Sequence, residues 1–329
     1  TDSTADLSGI TTSGTNIVIT NNDLDFSGNF LNANFDLSGG NVVTMKSDGI
    51  MTDKTVSVLT GNTLKANADK LDDKTINGVG SVVVTNLGTD TSAVLAKITS
   101  TGTGNKIDNS DFSGSFSGTF PNAAFTLDGS GTLTITNSSA ITSGKTMSLN
   151  QNSILESDAA NVTGKTIDGS GNITVNKLND TPAADLSGIT QNASVTVKAA
   201  DNLTFTGSFP ATPFTLDGDK IVTMTSSGIT GTNKVTVASG NTLKSTATLL
   251  DGKTIDGAGN ITVDTLNTDL AADLSGITTS GTNIVITNAN IESFTGKFIQ
   301  ANFDLSGGNV VTMTSDGIKT GKTVSVLTG

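Results

Sequence analysis

The chain has 329 residues, with 18 basic and 30 acidic side chains, a formal net charge of -12, and no Cys, His, Trp, Tyr or Arg. That charge excludes nucleic acid, whose phosphates need clustered Lys or Arg, and the lack of Cys excludes disulfides and zinc-thiolate centres. No apolar run approaches the length of a membrane span, about 18 residues, and no basic-then-apolar leader precedes Thr1, so neither a span nor a signal peptide is expected.

In chain order, the first element is Ala5-Asp6-Leu7-Ser8-Gly9-Ile10. It returns as Ala184-Asp185-Leu186-Ser187-Gly188-Ile189 and Ala272-Asp273-Leu274-Ser275-Gly276-Ile277, with a divergent copy ending Leu95-Ala96-Lys97-Ile98. The second is F-x3-F-x4-F, at Phe26/Phe30/Phe35, Phe116/Phe120/Phe125, Phe205/Phe209/Phe214 and Phe294/Phe298/Phe303, with Phe112 just ahead of the second copy. The third runs from Lys165 to Val175, with a close copy from Lys253 to Val263 and a looser one from Lys74 to Val84. Successive leading Phe residues lie 89 or 90 positions apart. The chain therefore reads as one continuous repeat array over 1–329, with units at about 5–92, 93–183, 184–271 and 272–329, the last stopping short.

The first and fourth copies share Ala5 to Asn21 with Ala272 to Asn288, and Ala33 to Met45 with Ala301 to Met313, yet the fourth carries one extra residue between these blocks. A one-residue slip inside a strand would turn every inward side chain outward, so the insertion belongs in a loop or bulge.

Strand signals dominate. Lys234 to Val237, Asn260 to Val263, Asn283 to Thr287 and Asn309 to Thr314 are β-branched, mostly alternating, and bounded by Gly, Asn, Asp or Ser. The helical candidate is the stretch Thr181 to Leu186, with Thr91 to Ala96 as its counterpart, at most about two turns long.

The pattern predicts an all-β fold: a parallel β-solenoid built from repeats of about 90 residues, or alternatively tandem Ig-like β-sandwich domains. In a solenoid each inward side chain stacks on its equivalent about 4.8 Å away, which favours small apolar side chains, Asn and Thr ladders and Gly corners. The absence of Trp and Tyr and the continuous repetition favour the solenoid. The twelve motif Phe residues form its core: F-x3-F keeps two rings on one strand face, and the following x4 switches parity and implies a turn before the third.

Low hydrophobic content, at 34%, comes with few candidates for chemistry. Without His or Cys, general-base work would fall to Asp, Lys, Glu156 or Glu292, and a Ser or Thr nucleophile would lack an imidazole partner; no enzyme activity is expected. Thr-x-Thr pairs such as Thr132 and Thr134 lack the even spacing that ice binding needs. The Gly/Asp loops around Asp128, Asp168, Asp217, Asp219 and Asp256 are candidate Ca2+ ligands, since short carboxylates and carbonyls suit that ion. The same Asp-Gly and Gly-Asn pairs are also what a tight turn requires.

The run from Asp251 to Val263, the Ala-Ala-Asp-Leu-Ser-Gly-Ile-Thr that follows it, and the Phe-Thr-Gly-x-Phe step at Phe205 to Phe209 and Phe294 to Phe298 resemble the long β-strand-repeat proteins of Gram-negative bacteria, giant exported adhesins and surface-layer-type proteins. The resemblance covers essentially the whole chain. It implies location outside the cell, secretion by a C-terminal signal not present here, and frequent calcium dependence, although the Gly-Gly-x-Gly-x-Asp nonapeptides of such proteins' calcium-binding tails are absent. The expected partners are further copies of the same array, and cell-surface glycans if the region instead serves as a carbohydrate-binding part of an attachment fibre.

Overall fold

The structure is a computed structural model that describes all residues except 1, 15–16, 191–192, 288–289, 308–309 and 328–329. The chain divides into two compact units, one of residues 1–157 with 165–172, the other of residues 158–164 with 173–329. The fold is all-β, and each unit is a parallel β-solenoid. Every strand pairing recorded among the described residues is parallel, so Ig-like sandwiches, which are antiparallel, are not supported.

Between paired strands of the first unit, one turn takes from 18 residues, as in Val18 paired with Asp36, to 23, as in Val83 paired with Lys106. Each strand alternates buried aliphatic and outward polar residues, as in Thr63–Asn67, where Leu64 and Ala66 point in. Stacking then places like on like: Leu64 lies on Val43 and under Val82, and Val84 lies under Ile107. This is the period-2 pattern read from the sequence, repeated turn after turn.

The first sheet of this unit contains Val18–Thr20, Phe35–Ser38, Thr55–Val58 and Thr75–Gly78. A second sheet begins with Leu24–Phe26, Val42–Met45, Thr63–Asn67 and Ser81–Thr85 and continues with Lys106–Asp108, Phe125–Asp128, Thr146–Leu149 and Thr166–Gly169. The later strands of one repeat are thus followed, in the same sheet, by the earlier strands of the next. The second unit does the same: Val263, in Asn260–Asp264, pairs with Ile286, in Val285–Thr287.

All twelve motif phenylalanines are at most 4% exposed. They are core residues, as the motif predicts, but the rings are laid out differently from the arrangement expected of F-x3-F-x4-F. The leading rings Phe26, Phe116, Phe205 and Phe294 each end a strand. The middle rings Phe30, Phe120, Phe209 and Phe298 lie in the connecting segments, outside any strand. The third rings Phe35, Phe125, Phe214 and Phe303 each begin a strand, and that strand belongs to a different sheet from the leading ring's.

The first two rings of each copy therefore do not share a strand face, because the chain leaves the strand directly after the leading ring and the middle ring fills the corner between sheets. Centroids are 4.6 and 5.0 Å apart in the first copy, 4.8 and 5.3 Å in the second, 4.4 and 4.8 Å in the third, and 4.7 and 5.2 Å in the fourth, within the range of favourable aromatic pairs. Phe120 thus bridges Phe116 and Phe125, and Phe214 and Phe303 close their triads against Phe209 and Phe298.

The inserted residue of the fourth copy is taken up as a bulge. Ile291–Phe294 has four residues where Leu24–Phe26 has three, and its register shifts between Ile291, opposite Val311, and Phe294, opposite Met313. Both inward residues keep their places, as the unchanged flanks require. The strand expected from Asn309 to Thr314 is found as Val311–Met313, with Asn309 outside the described residues.

The helical expectation fails. Around Thr181 to Leu186 the backbone makes a short 3-10 turn at Leu178–Asp180 and then a bridge from Asp185 to Ser208 on the next turn; in Thr91 to Ala96, Val94 bridges Thr119. Pairing with the neighbouring turn takes the backbone groups that a helix would use internally. The single-turn helices lie elsewhere, at Ala68–Leu71, Ala159–Val162 and Ala247–Leu250, each burying its first and last residue. At four residues they depend on that burial rather than on propensity.

Gly78, Gly169 and Gly257 end equivalent strands with φ of +104°, +104° and +105°, and a Cβ on each would come within 2.2 Å of the carbonyl oxygen of Val58, Leu149 or Val237. Only glycine fits there.

Candidate functional site

Of the five aspartates that the sequence offers as calcium ligands, Asp128, Asp168, Asp217 and Asp256 are engaged by the adjacent turn or by their own loop. Asp128 forms an ion pair with Lys106. Asp168 Oδ1 accepts from Ser148 Oγ at 2.5 Å. Asp217 Oδ1 accepts from the Gly218 amide at 2.8 Å, and its other oxygen is 3.8 Å from Lys198 Nζ. Asp256 accepts from Thr236 Oγ1 at 2.8 Å and pairs with Lys234 at 2.6 Å. Asp219 sits in the left-handed region at φ +59° beside Gly240. Calcium takes six to eight oxygens, several of them from carboxylates. Among the described residues no group of three acidic side chains lies close enough to hold a metal ion.

Many of the remaining aspartates cap turns. Asp6, Asp90, Asp108, Asp185 and Asp273 each accept, through Oδ1, both the backbone N–H and the hydroxyl of the serine two residues on, with N–H distances of 2.9 to 3.1 Å. This Asx-turn geometry needs the short Asp side chain. It gives the excess of Asp over Glu a structural origin.

Those hydrogen bonds move the titrations. The hydrogen bond from Lys297 to Asp273, with help from Ser275, lowers that carboxyl to about 2. Ser8 lowers Asp6, and Asn150 followed by Lys106 lowers Asp128. At Asp256 burial acts in the opposite direction, but Lys234 and Thr236 outweigh it and hold the carboxyl below its ordinary value.

Buried amides complete the corners. Asn105 Oδ1 accepts from the Val82 amide at 2.9 Å while Nδ2 donates to the Ser100 carbonyl at 2.7 Å. Asn62 accepts from the Gly40 amide at 2.9 Å and donates to the Leu59 carbonyl at 3.1 Å. These are the asparagine corners that a solenoid requires. At Asn21 and Asn109 the buried Oδ1 has no partner in the structure.

One feature that the sequence did not disclose is a solvent-open groove recurring in three repeats. In the first it holds about 480 Å³ beside Ser13, Asn34, Asp36 and Ser57; in the second about 390 Å³ beside Thr101, Asn105, Thr126 and Ser148; in the fourth about 480 Å³ beside Ser280, Asn302, Asp304 and Ser325. The signal was present as Thr-Ser-Gly-Thr at Thr12 to Thr15 and Thr279 to Thr282 and Ser-Thr-Gly-Thr at Ser100 to Thr103, but it reads as an ordinary loop until folding sets it against the following turn.

Glu156 lies outward in Ile154–Asp158 opposite Thr134, and the Glu292 side chain is outside the described residues. No described helix is long and apolar enough to cross a membrane. No protein-family model, curated protein or solved structure matches the chain.

Proposed function

We propose that the chain is a non-enzymatic structural repeat region that works outside the cell as a stiff stalk, filament or surface layer, with further copies of the same array as its partner. The observation that carries this reading is where the polar groups are directed. Of the ten ion pairs among the described residues, nine join Lys and Asp that are 19 to 26 positions apart, one turn of the solenoid. Most are substantially exposed, so each adds little stability. Their shared spacing instead favours one stacking register over its neighbours.

The extracellular setting draws support from the resemblance to exported repeat proteins. An antibody against this region should label intact, unpermeabilised cells of the source organism, and the purified chain should form regular assemblies by electron microscopy. Label restricted to permeabilised cells would overturn the location; a chain that stays monomeric at every concentration would overturn self-assembly.

The recurring groove favours a second reading, a carbohydrate-binding array on an attachment fibre. Its hydroxyls and amides, with Asp36 in the first repeat and Asp304 in the fourth, offer hydrogen bonds to a glycan, though it has no Trp or Tyr for a sugar face to stack on. Retention on immobilised glycans, lost when Ser57 and Ser148 are both changed to bulky residues, would favour this reading over the first.

A further inference from the structure

We infer that Asn77 is a built-in deamidation site, which the fold converts from asparagine to aspartate without enzyme or cofactor. This inference is independent of the functional reading above. Asn77-Gly78 is the only Asn-Gly pair in the chain, and three observations place it in an environment suited to the reaction.

First, Ser57 Oγ donates to Asn77 Oδ1 at 2.8 Å. When the Gly78 nitrogen attacks the side-chain carbon, negative charge develops on that oxygen, and a donor already aimed at it stabilises the tetrahedral species. Second, Asn77 and Ser57 both line the open groove of the first repeat, which admits the water that completes the reaction and lets ammonia leave. Third, the product already has a place in the fold. The equivalent residues of the second and third repeats are Asp168 and Asp256, each ahead of a glycine with nearly the same φ and each accepting from a hydroxyl on the previous turn, Ser148 or Thr236.

The steps balance with water alone. The Gly78 N–H loses its proton to solvent base, its nitrogen bonds to Asn77 Cγ, and the amide nitrogen leaves as ammonia, giving a cyclic imide. Water then adds to Cγ and the new N–C bond breaks, leaving an aspartate. Opening at the main-chain carbonyl instead would insert Cβ into the backbone of Thr75–Gly78, whose register with Thr55–Val58 is fixed residue by residue. The folded chain should therefore accumulate ordinary aspartate.

The test is peptide mapping of the folded full chain held at pH 8.5 and 37 °C, alongside Ser57→Ala, Ser57→Thr and a urea-unfolded control. Asn77 should convert before every other asparagine. Ser57→Ala should slow it about tenfold, the worth of one well-placed hydrogen bond, Ser57→Thr should keep the rate, and unfolding should erase the difference between variants. Asn77→Asp should melt within a degree or so of the parent. An Asn77 that persists while other asparagines convert, that reacts equally fast in Ser57→Ala, or that reacts only when unfolded would overturn the inference.

Discussion

Phe26 and Phe116 hold the same position in consecutive repeats but lie in different sheets: Phe26 pairs with Met45 in the sheet that continues into Thr166–Gly169, whereas Phe116 pairs with Ile135 in the sheet beginning at Gly114–Phe116. One repeat of sequence is therefore not one repeat of the lateral surface within this unit. Equivalent outward residues of neighbouring repeats face in different directions, so a partner that recognises a single repeat meets its next copy on the adjoining sheet.

The ring triads carry the corners. Phe209→Ala removes the middle ring, 4.4 and 4.8 Å from its neighbours Phe205 and Phe214, and should cost about 3 to 5 kcal/mol in urea unfolding. Half-buried Phe112→Ala should cost about 1 kcal/mol. Equal losses for the two would remove the special role of the triad.

Gly257 and Gly252 provide a matched pair. Both have positive φ, at +105° and +64°, but a Cβ on Gly257 meets the Val237 carbonyl whereas one on Gly252 meets nothing within 4 Å. Gly252→Ala should cost about 1 kcal/mol for the left-handed backbone. Gly257→Ala should cost clearly more in the same melts.

Acid should weaken the fold through the capped aspartates. Asp273 has its carboxyl lowered from 3.8 to about 2. A depressed folded-state value contributes stability above the unfolded value, and that contribution fades as pH falls from about 4 towards 2. Melting temperature should drop between pH 5 and pH 2.5, and Asp273→Asn should narrow that drop. An unchanged drop would show that the Lys297 and Ser275 contacts do not form in solution.

Calcium should leave the melting temperature unchanged, because binding at Asp128, Asp217 or Asp256 must displace Lys106, Lys198 or Lys234. Scanning calorimetry with millimolar calcium and with chelator checks this. A rise with calcium that disappears in Asp217→Asn would show that the loops are ligands.

Much of the fold was legible because a solenoid repeats its constraints in sequence. The alternation in Thr63–Asn67, the glycine at 78, 169 and 257, and the single insertion before Phe294 each state a local rule that the structure obeys. The burial of Phe120, Phe214 and Phe303 was legible too, but not their division between a corner and the start of the next sheet, because ring spacing alone does not show where a strand ends. The sheet exchange between Ser81–Thr85 and Lys106–Asp108 was not legible, because pairing partners some 20 residues apart leave no mark on either strand alone. Nor were the helices at Ala68–Leu71 and its equivalents, which owe their shape to a buried corner. The aspartates were legible as loop residues, but whether a carboxylate faces a metal or a lysine depends on which turn stacks above it.

The stacking itself can be read with engineered cysteines, since the chain has none of its own. Thr126 pairs with Ser148 on the next turn, while Thr134 lies in another sheet opposite Glu156. A sandwich hairpin turning at Gly129 to Gly131 would instead set Thr126 beside Thr134. Parallel neighbours about 4.8 Å apart lie within disulfide reach. Mild oxidation should close the Thr126→Cys/Ser148→Cys pair and leave Thr126→Cys/Thr134→Cys reduced; the reverse result would contradict the solenoid.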